Sequence, residues 1–341
     1  MKVCILEWIC GGGRISADLE GDLLTEGQQM LSTLIDGALR AQCSVSIALD
    51  ERLESSPGFC RPKLEVFPVA DQPENKILNE WARLAANSDA TLVVAPELQG
   101  SLCRAIHHLN SAIEIHSPGV KLLNCKGGML EQAADKWFSY STFERLEIPT
   151  PDTLLLANAT ETNLDQIAAK YSHSKWVVKP RDGAGCEEIA VFTKTELAAQ
   201  RAQAKDHSTQ IVQPWLESKA YSCSAIVDDE GTWNWLPVVS QELTLSPAGK
   251  NLHYMGGQLV LDQEFPEEWK QQLEREFAGA KGWMSFDFFV EDKTGTNYLI
   301  EINPRCTTSM VTLAEKYTGN LIAELLGVSP CQDYSNHAFW R

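Results

Sequence analysis

Positive charge is scarce in this chain. Its 341 residues carry 29 Lys and Arg against 46 Asp and Glu, a formal net charge of −17. A surface of that sign repels phosphate backbones and anionic lipid, which argues against nucleic acid or a membrane surface as a partner. Long apolar runs are also missing: none approaches the roughly 20 residues that span a bilayer. No secretory leader is evident after Met1 and Lys2, because the apolar stretch breaks at Glu7 and again at three glycines. A cytoplasmic protein is therefore expected. There are 10 cysteines, but none stands in a CxxC pair or a metal-finger spacing. Cys4, Cys43, Cys125 and Cys223 read as small reduced core residues. Cys186 and Cys306 adjoin candidate site segments, and incidental placement is the simpler reading. Internal repeats and low-complexity linkers are absent as well.

What remains is an ordinary globular composition, 44% hydrophobic and 22% charged. The length exceeds one compact core, so two or three subdomains are expected. Segments 2–10, 44–50, 91–97 and 121–125 read as strands, separated by helical patterns over 22–41, 76–87 and 101–116. That alternation predicts a doubly wound parallel sheet with helices on its faces. Ligands of such sheets gather at the carboxyl ends of the strands, here Glu7 with Gly11, Gly12 and Gly13, then Asp50, then Pro96 and Glu97. From 135 the pattern changes. A helix runs into a Pro-bounded turn by 151; strands at 153–156, 176–180, 188–192 and 209–213 then alternate with helices near 162–171 and 195–204. After 213 strands dominate, at 221–227, 232–239 and 255–261, with a helix near 267–280. The predicted units are 1–120, 121–212 and 213–341, meeting around one cleft.

The most informative stretch lies near the C-terminal end. FDFFV (286–290) and YLIEINPR (298–305) both read as buried strands. Side chains alternate faces along a strand, so Glu301 and Asn303 point the same way. If the two strands pair as a hairpin turning at 292–295, Asp287 faces the same space. Two carboxylates and an amide oxygen are hard ligands suited to Mg²⁺ held together with substrate phosphates. A carboxylate inside an apolar strand is costly unless paired or liganded. The blander reading of Glu301–Arg305 is a strand end turning into a Pro-initiated loop. Arg305 adds a fixed cation with a fork of donors for phosphate or a developing oxyanion.

A nucleotide then has to be found. Lys179 ends a strand and is followed by Arg181, Asp182, Gly183, Ala184 and Gly185. A strand-end lysine reaches phosphate oxygens, and a glycine-rich turn can fold its N–H groups over them and act as a lid. The alternative is a plain hairpin turn. Lys136, opening an amphipathic helix, is a second candidate cation, or a solvated helix lysine. The linker 211–218, with Gln213, Trp215, Leu216 and Glu217, can present backbone groups to an adenine edge, or serve only as a crossover between subdomains.

The order of these features resembles the ATP-grasp superfamily over nearly the whole chain: DK (135–136), EIPTP (147–151), VVKP with its glycine loop (177–185), VQPWLE (212–217), and Asp287 with EINPR (301–305). The resemblance implies an α/β protein, α+β in its ATP-binding part. It would have an N-terminal pre-ATP-grasp domain, a small lid subdomain and a C-terminal antiparallel-sheet subdomain. It implies ATP and Mg²⁺ (or Mn²⁺) as cofactors, with Lys136 and Lys179 on the phosphates and Lys179 and Arg305 catalytic. Asp182–Gly185 and Gln213–Glu217 would hold the nucleotide, and Asp287, Glu301 and Asn303 the metal. The implied chemistry is amide formation through an acyl-phosphate, on small-molecule acid and amine substrates, in proteins that are often homodimers. The start ILEWICGGG (5–13) with LLTEGQQML (23–31), and HYMGGQLV (253–260), are similar to the tyramine–glutamate ligase group within it.

Two positions depart from the family pattern. Ala220 stands where many members carry a ribose-binding Glu, leaving Glu217 as the candidate. Ser285 replaces the Arg of the D-alanine–D-alanine ligase branch and argues against that branch. For the other substrates the candidates are Glu7, Gly11, Gly12, Gly13, Tyr254, Gly256 and Arg305, with Lys2, Arg14 and Arg181 as secondary cations. Glu7 salt-bridged to Arg14 in a flexible loop is the structural alternative. Trp8, Trp215 and Trp283 are candidates for an apolar amine pocket. A regulatory nucleotide-binding protein with a degenerate site is the rival class, opposed by the complete set of lysines and carboxylates.

Overall fold

The computed structural model describes residues 1–13, 21–53, 59–171, 175–186, 188–204 and 206–340. Arg14 lies outside the described residues. The first unit is a parallel sheet of β1 (Lys2–Glu7), β2 (Ser44–Asp50), β3 (Leu64–Val69), β4 (Ala90–Val94) and β5 (Lys121–Leu122), in the order β3-β2-β1-β4-β5. Helices α1 (Asp22–Arg40), α2 (Glu74–Ala85) and α3 (Ser101–His116) connect the strands. β1 and β4 are covered on both faces, hence their unbroken apolar sequence. β3 was not anticipated, because Pro68 lies within it. Its edge position explains the tolerance, since an edge residue has no second neighbour that needs its N–H.

Two short helices follow, α4 (Gly128–Ala133) and α5 (Lys136–Arg145). The second sheet is antiparallel and small: β6 (Leu154–Leu155), β7 (Lys175–Pro180), β8 (Ala190–Thr193) and β9 (Gln210–Pro214), in the order β6-β9-β7-β8. Helices α6 (Glu161–Tyr171) and α7 (Lys194–Gln203) accompany it, and Leu156, Leu164, Trp176, Phe192, Leu197 and Val212 give it a core of its own. The third sheet runs β13-β12-β10-β15-β16, with β11 beside β10 and β14 beside β12. Its strands are β10 (Ser218–Val227), β11 (Trp233–Trp235), β12 (Val238–Leu245), β13 (Leu252–Gly256), β14 (Leu259–Val260), β15 (Gly282–Glu291) and β16 (Asn297–Asn303). The single strands expected at 232–239 and 255–261 are each divided, the first around Pro237 and the second at Gly257 and Gln258. Helix α8 (Glu267–Glu276) precedes β15.

The chain then returns to its beginning. Helices α9 (Ser309–Lys316) and α10 (Leu321–Leu325) bury Met310, Leu313 and Ile322 in one core with Leu31, Leu34 and Ile35 of α1. Ile322 sits where a side chain at Gly37 would project, 2.3 Å from an added Cβ, so α10 closes directly on the α1 backbone. Helices α4 and α5, within the segment expected to belong to the lid, pack against β16 of the third sheet. Strands β6–β9 with α6 and α7 make up the small unit, whose β8 edge is joined to 250–252 by Val191 N donating to Lys250 O at 2.8 Å.

Gly282 marks where the third sheet meets the first unit. It has φ +74°, and an added Cβ would stand 2.0 Å from the carbonyl oxygen of Leu123. Gly282→Ala combines a left-handed alanine with a backbone collision, so a loss of at least about 2 kcal/mol is expected. Denaturant midpoints measure it, and an unchanged midpoint would refute the proposed close docking.

Candidate functional site

A cleft of about 770 Å³ opens between the small sheet and the third sheet. Its floor is the β15–β16 hairpin. Asp287 pairs directly opposite Glu301, and Ser285 opposite Asn303. Between Asp287 and Phe288 the register slips by one residue on β16, which leaves Ile300 as a bulge in the cleft wall. The Asn303 amide donates to Asp287 Oδ2 at 3.1 Å, and Gln241 Nε2 from β12 donates to Oδ1 at 3.1 Å. Burial, followed by the charge of Glu301, pushes the Asp287 carboxyl up to about 7. Partial burial would raise Glu301 too, yet the ammonium groups of Lys136 and Lys179 hold its pKa below the ordinary value.

Lys136 comes from the first turn of α5. Asp135 caps that helix by accepting from Trp137 N, and Arg181 grips the same carboxylate with its Nη2 at 2.6 Å. Arg181, a candidate substrate contact, is therefore engaged in bracing the helix start. So held, Lys136 Nζ lies 3.1 Å from Glu301 Oε2 and donates to the Gly183 carbonyl at 2.6 Å. Burial opposes its charge, but Glu301 and Glu97 outweigh that and raise its pKa. Lys179 projects from the end of β7 into the same space, where burial lowers its pKa. Arg305 lines the cleft too, with its guanidinium bound to Glu97 through Nε at 2.9 Å and Nη2 at 2.8 Å.

Other candidates divide. Gly183, Ala184, Gly185, Trp215, Leu216, Glu217 and Tyr254 line the cleft. Trp215 donates its indole N–H to Glu217 Oε1 at 3.0 Å, so the ribose candidate is already tied to its neighbour. Among the described residues, Asp182, Gln213, Gly256, Glu7, Gly11, Gly12 and Gly13 are not part of the wall. Gln213 is buried and gives its amide to Thr153 Oγ1 at 2.9 Å, so its side chain faces away from the nucleotide candidates. Glu7 is buried and accepts from Cys10 N at 2.6 Å and Ile9 N at 3.1 Å, so it secures its own turn. The glycines pack tightly against tryptophan and backbone: an added Cβ at Gly11 would lie 2.5 Å from the Glu7 carbonyl, and one at Gly13 2.3 Å from Trp8. Lys2 pairs with Glu65 at the surface. Trp8 and Trp283 are core residues, whereas Trp215 reaches the cleft. Burial pushes the thiols of Cys186 and Cys306 up to about 12, so neither is a ready nucleophile.

Several wall residues had no sequence signal. Gln241 is one polar residue in an alternating strand, and Thr307, Thr308 and Ser309 follow Arg305 into α9. Glu26 reaches the cleft from α1. Glu97 was visible as a strand-end acid, but nothing in the sequence pointed to its partner 208 residues away.

The donor set fits a hard divalent cation. No cluster of three or more His, Cys, Asp or Glu suited to a metal exists among the described residues. What the hairpin offers is two half-buried, mutually repelling carboxylates and one amide, an arrangement that a cation shared with phosphates would relieve. Residues 133–309 match the ATP-grasp domain model, and 43–126 match the pre ATP-grasp 3 domain. The chain belongs to the ATP-grasp family. It is an ATP-using enzyme of the ligase class. This ATP-grasp chain is 24% identical over 308 residues to a tyramine–L-glutamate ligase of Methanocaldococcus fervens, covering 89% of itself and 87% of that protein. It is 25% identical to the arginine-specific large chain of carbamoyl phosphate synthase from Geobacillus stearothermophilus, but spans only 20% of that protein's length. Its fold matches the biotin carboxylase domain of Hydrogenobacter thermophilus 2-oxoglutarate carboxylase, solved as a dimer with MgADP and bicarbonate. There the TM-score is 0.71 at 14% identity, over 99% of this chain and 72% of that one. No helix among the described residues is long and apolar enough to cross a membrane.

A cation held by this carboxylate pair would bind in a pH-dependent way. The Asp287 carboxyl titrates near 7 in the folded protein against 3.8 ordinarily. Between those values the folded state keeps a proton that the unfolded chain has lost, so this group's contribution to stability falls as pH rises. A bound cation must displace that proton. Excess Mg²⁺ should therefore raise the thermal midpoint more at pH 8 than at pH 6, and Asp287→Asn should abolish the difference. Equal shifts in the wild type would sink the assignment.

Proposed function

We propose that this enzyme joins the γ-carboxylate of L-glutamate to the amine of tyramine, giving γ-glutamyltyramine with release of ADP and phosphate. The observation that carries the reading is the end-to-end likeness to the Methanocaldococcus fervens ligase, combined with a cleft that gathers Lys136, Lys179, Asp287, Glu301, Asn303 and Arg305. In this reading the substrate carboxylate attacks the γ-phosphorus of ATP, and ADP departs, leaving an acyl-phosphate. The amine then attacks the activated carbonyl, and phosphate leaves as the C–N bond forms. Bound through Asp287, Glu301 and Asn303, Mg²⁺ supplies positive charge to the phosphate oxygens. Lys136 and Lys179 add to that charge, Lys136 reaching from α5 and Lys179 from the lid. Gly183–Gly185 cover the phosphates and keep water from the acyl-phosphate. Trp215 and Leu216 face the adenine, and Glu217 takes the ribose. Arg305 steadies the oxyanion that develops as the carbonyl is attacked.

Supporting an aromatic amine is the apolar wall that Tyr254, Leu243, Leu245, Leu252 and Ile189 give the cleft. The soluble charge pattern favours a cytoplasmic setting, and the dimeric carboxylase relative makes a homodimer the assembly to test.

The experiment is ADP release from purified protein with MgATP and glutamate, with and without tyramine, followed by product mass. Release that needs both substrates, with the mass of γ-glutamyltyramine, is expected. A panel of other acids and amines then locates the substrates if only the pair is wrong. Glu301→Ala should cut turnover by at least about 100-fold while leaving the fold intact. A folded Glu301→Ala protein with full activity would overturn the metal assignment.

A further inference from the structure

We infer that Glu97, in the loop between β4 and α3, is the residue that positions Arg305 for reaction, and so makes the first domain part of the catalytic apparatus. The inference rests on the reading of Arg305 given above. The pair is buried, with side chains 10% and 3% exposed for Arg305 and Glu97. Its contacts run from Arg305 Nε to both Glu97 oxygens at 2.9 and 3.0 Å, and from Nη2 to Oε2 at 2.8 Å. Nη1 donates to the Cys306 carbonyl at 3.2 Å. A guanidinium has five N–H donors in a rigid fork. Glu97 and Cys306 take the Nε–H, one hydrogen of Nη2 and one of Nη1. One N–H on each terminal nitrogen is left, and these form the single edge that can grip two oxygens of a substrate.

The loop that carries Glu97 is fixed from behind. Pro96 O accepts from Ser101 Oγ at 2.7 Å and from Leu102 N at 3.1 Å, so the loop is tied to the start of α3. Arg305 is tied in turn to β16, two residues after Asn303. Rotation of the guanidinium would break the bidentate contact and bury an unpaired charge. Glu97 therefore selects which edge of Arg305 meets the substrate, and it partly neutralises a cation that would otherwise compete with Lys136 for Glu301. A strut between domains would need only the ion pair; a positioning residue must also change the chemical step.

Glu97→Ala and Glu97→Gln are compared with Arg305→Ala and with the double variant Glu97→Ala/Arg305→Ala. The assay is ADP release at saturating substrates, alongside ATP binding measured by titration calorimetry. Glu97→Gln keeps the volume and one acceptor, which guards against simple misfolding. The expected result is a fall in kcat of about 10- to 100-fold for Glu97→Ala, less for Glu97→Gln, with ATP affinity held within about 2-fold. In the Arg305→Ala background the Glu97 change should cost less than about 2-fold more. Normal kcat for both Glu97 variants, beside an inactive Arg305→Ala, would overturn the inference and leave the role of Arg305 standing. Normal kcat for Arg305→Ala would instead remove the reading on which it rests. Effects that multiply in the double variant would show that Glu97 acts without Arg305, which also overturns it. If the wild type releases no ADP with any substrate pair, the same cycle is read on trapping of MgADP by aluminium fluoride. Equal trapping in wild type and Glu97→Ala would overturn the inference there.

Discussion

Asp287 and Glu301 face each other across neighbouring antiparallel strands, and like charges placed that way repel. The cleft answers that repulsion in three ways. Asn303 and Gln241 each donate to Asp287, Lys136 pairs with Glu301, and Asp287 retains its proton up to about pH 7. All three are provisional in a sense the proposed chemistry can use, since a divalent cation held there would replace the proton and free the donors. An ordinary hairpin would simply not keep two acids in that position. Each neighbouring element therefore has a reason to be where it is.

Cations are the limiting resource in a chain of net charge −17. Besides the exposed Lys219 of β10, three of them converge here from three different parts of the fold: Lys136 from α5, Lys179 from β7 and Arg305 from the chain after β16. Each is supported differently. Lys136 stands on a helix start braced by Asp135 and Arg181, Lys179 on a strand end, and Arg305 on Glu97 from the parallel sheet. Against the acidic remainder of the surface, the cleft is where a polyphosphate would meet concentrated positive charge.

Much of this was legible in the sequence for a simple reason. Strand periodicity fixes which side chains share a face, so Glu301 and Asn303 were tied together without knowledge of the fold. The helix at 101–116 and the strand at 44–50 match the structure at both ends, because each is a single periodic run. β3 was hidden by Pro68, which is compatible with a strand only once the strand is known to be an edge. Helices α4, α9 and α10 were not anticipated; each is at most eight residues long and owes its packing to distant partners. The placement of α4 and α5 against β16 likewise depends on a contact far along the chain.

The misleading glycines carry the sharper lesson. Gly11, Gly12 and Gly13 after a strand look like room left for a ligand, yet the space is filled. Trp81 gives its indole N–H to the Gly11 carbonyl at 3.1 Å, and Trp8 lies against Gly13. Gly183 and Gly185 look no different in sequence but line the cleft, because the lysine before them ends a strand that points at the carboxylate hairpin. A glycine cluster states that something approaches the backbone closely; only the third dimension says whether that is a tryptophan or a phosphate. The same holds for Gln213, whose amide went to Thr153, and for Glu97, whose partner is Arg305. The half of the cleft that gathers Lys179 and the carboxylate hairpin could be read because it is built on strands. The half that would select the acid and amine is assembled from α1, the β12–β13 hairpin and the start of α9, and no local pattern in any of them records the other two.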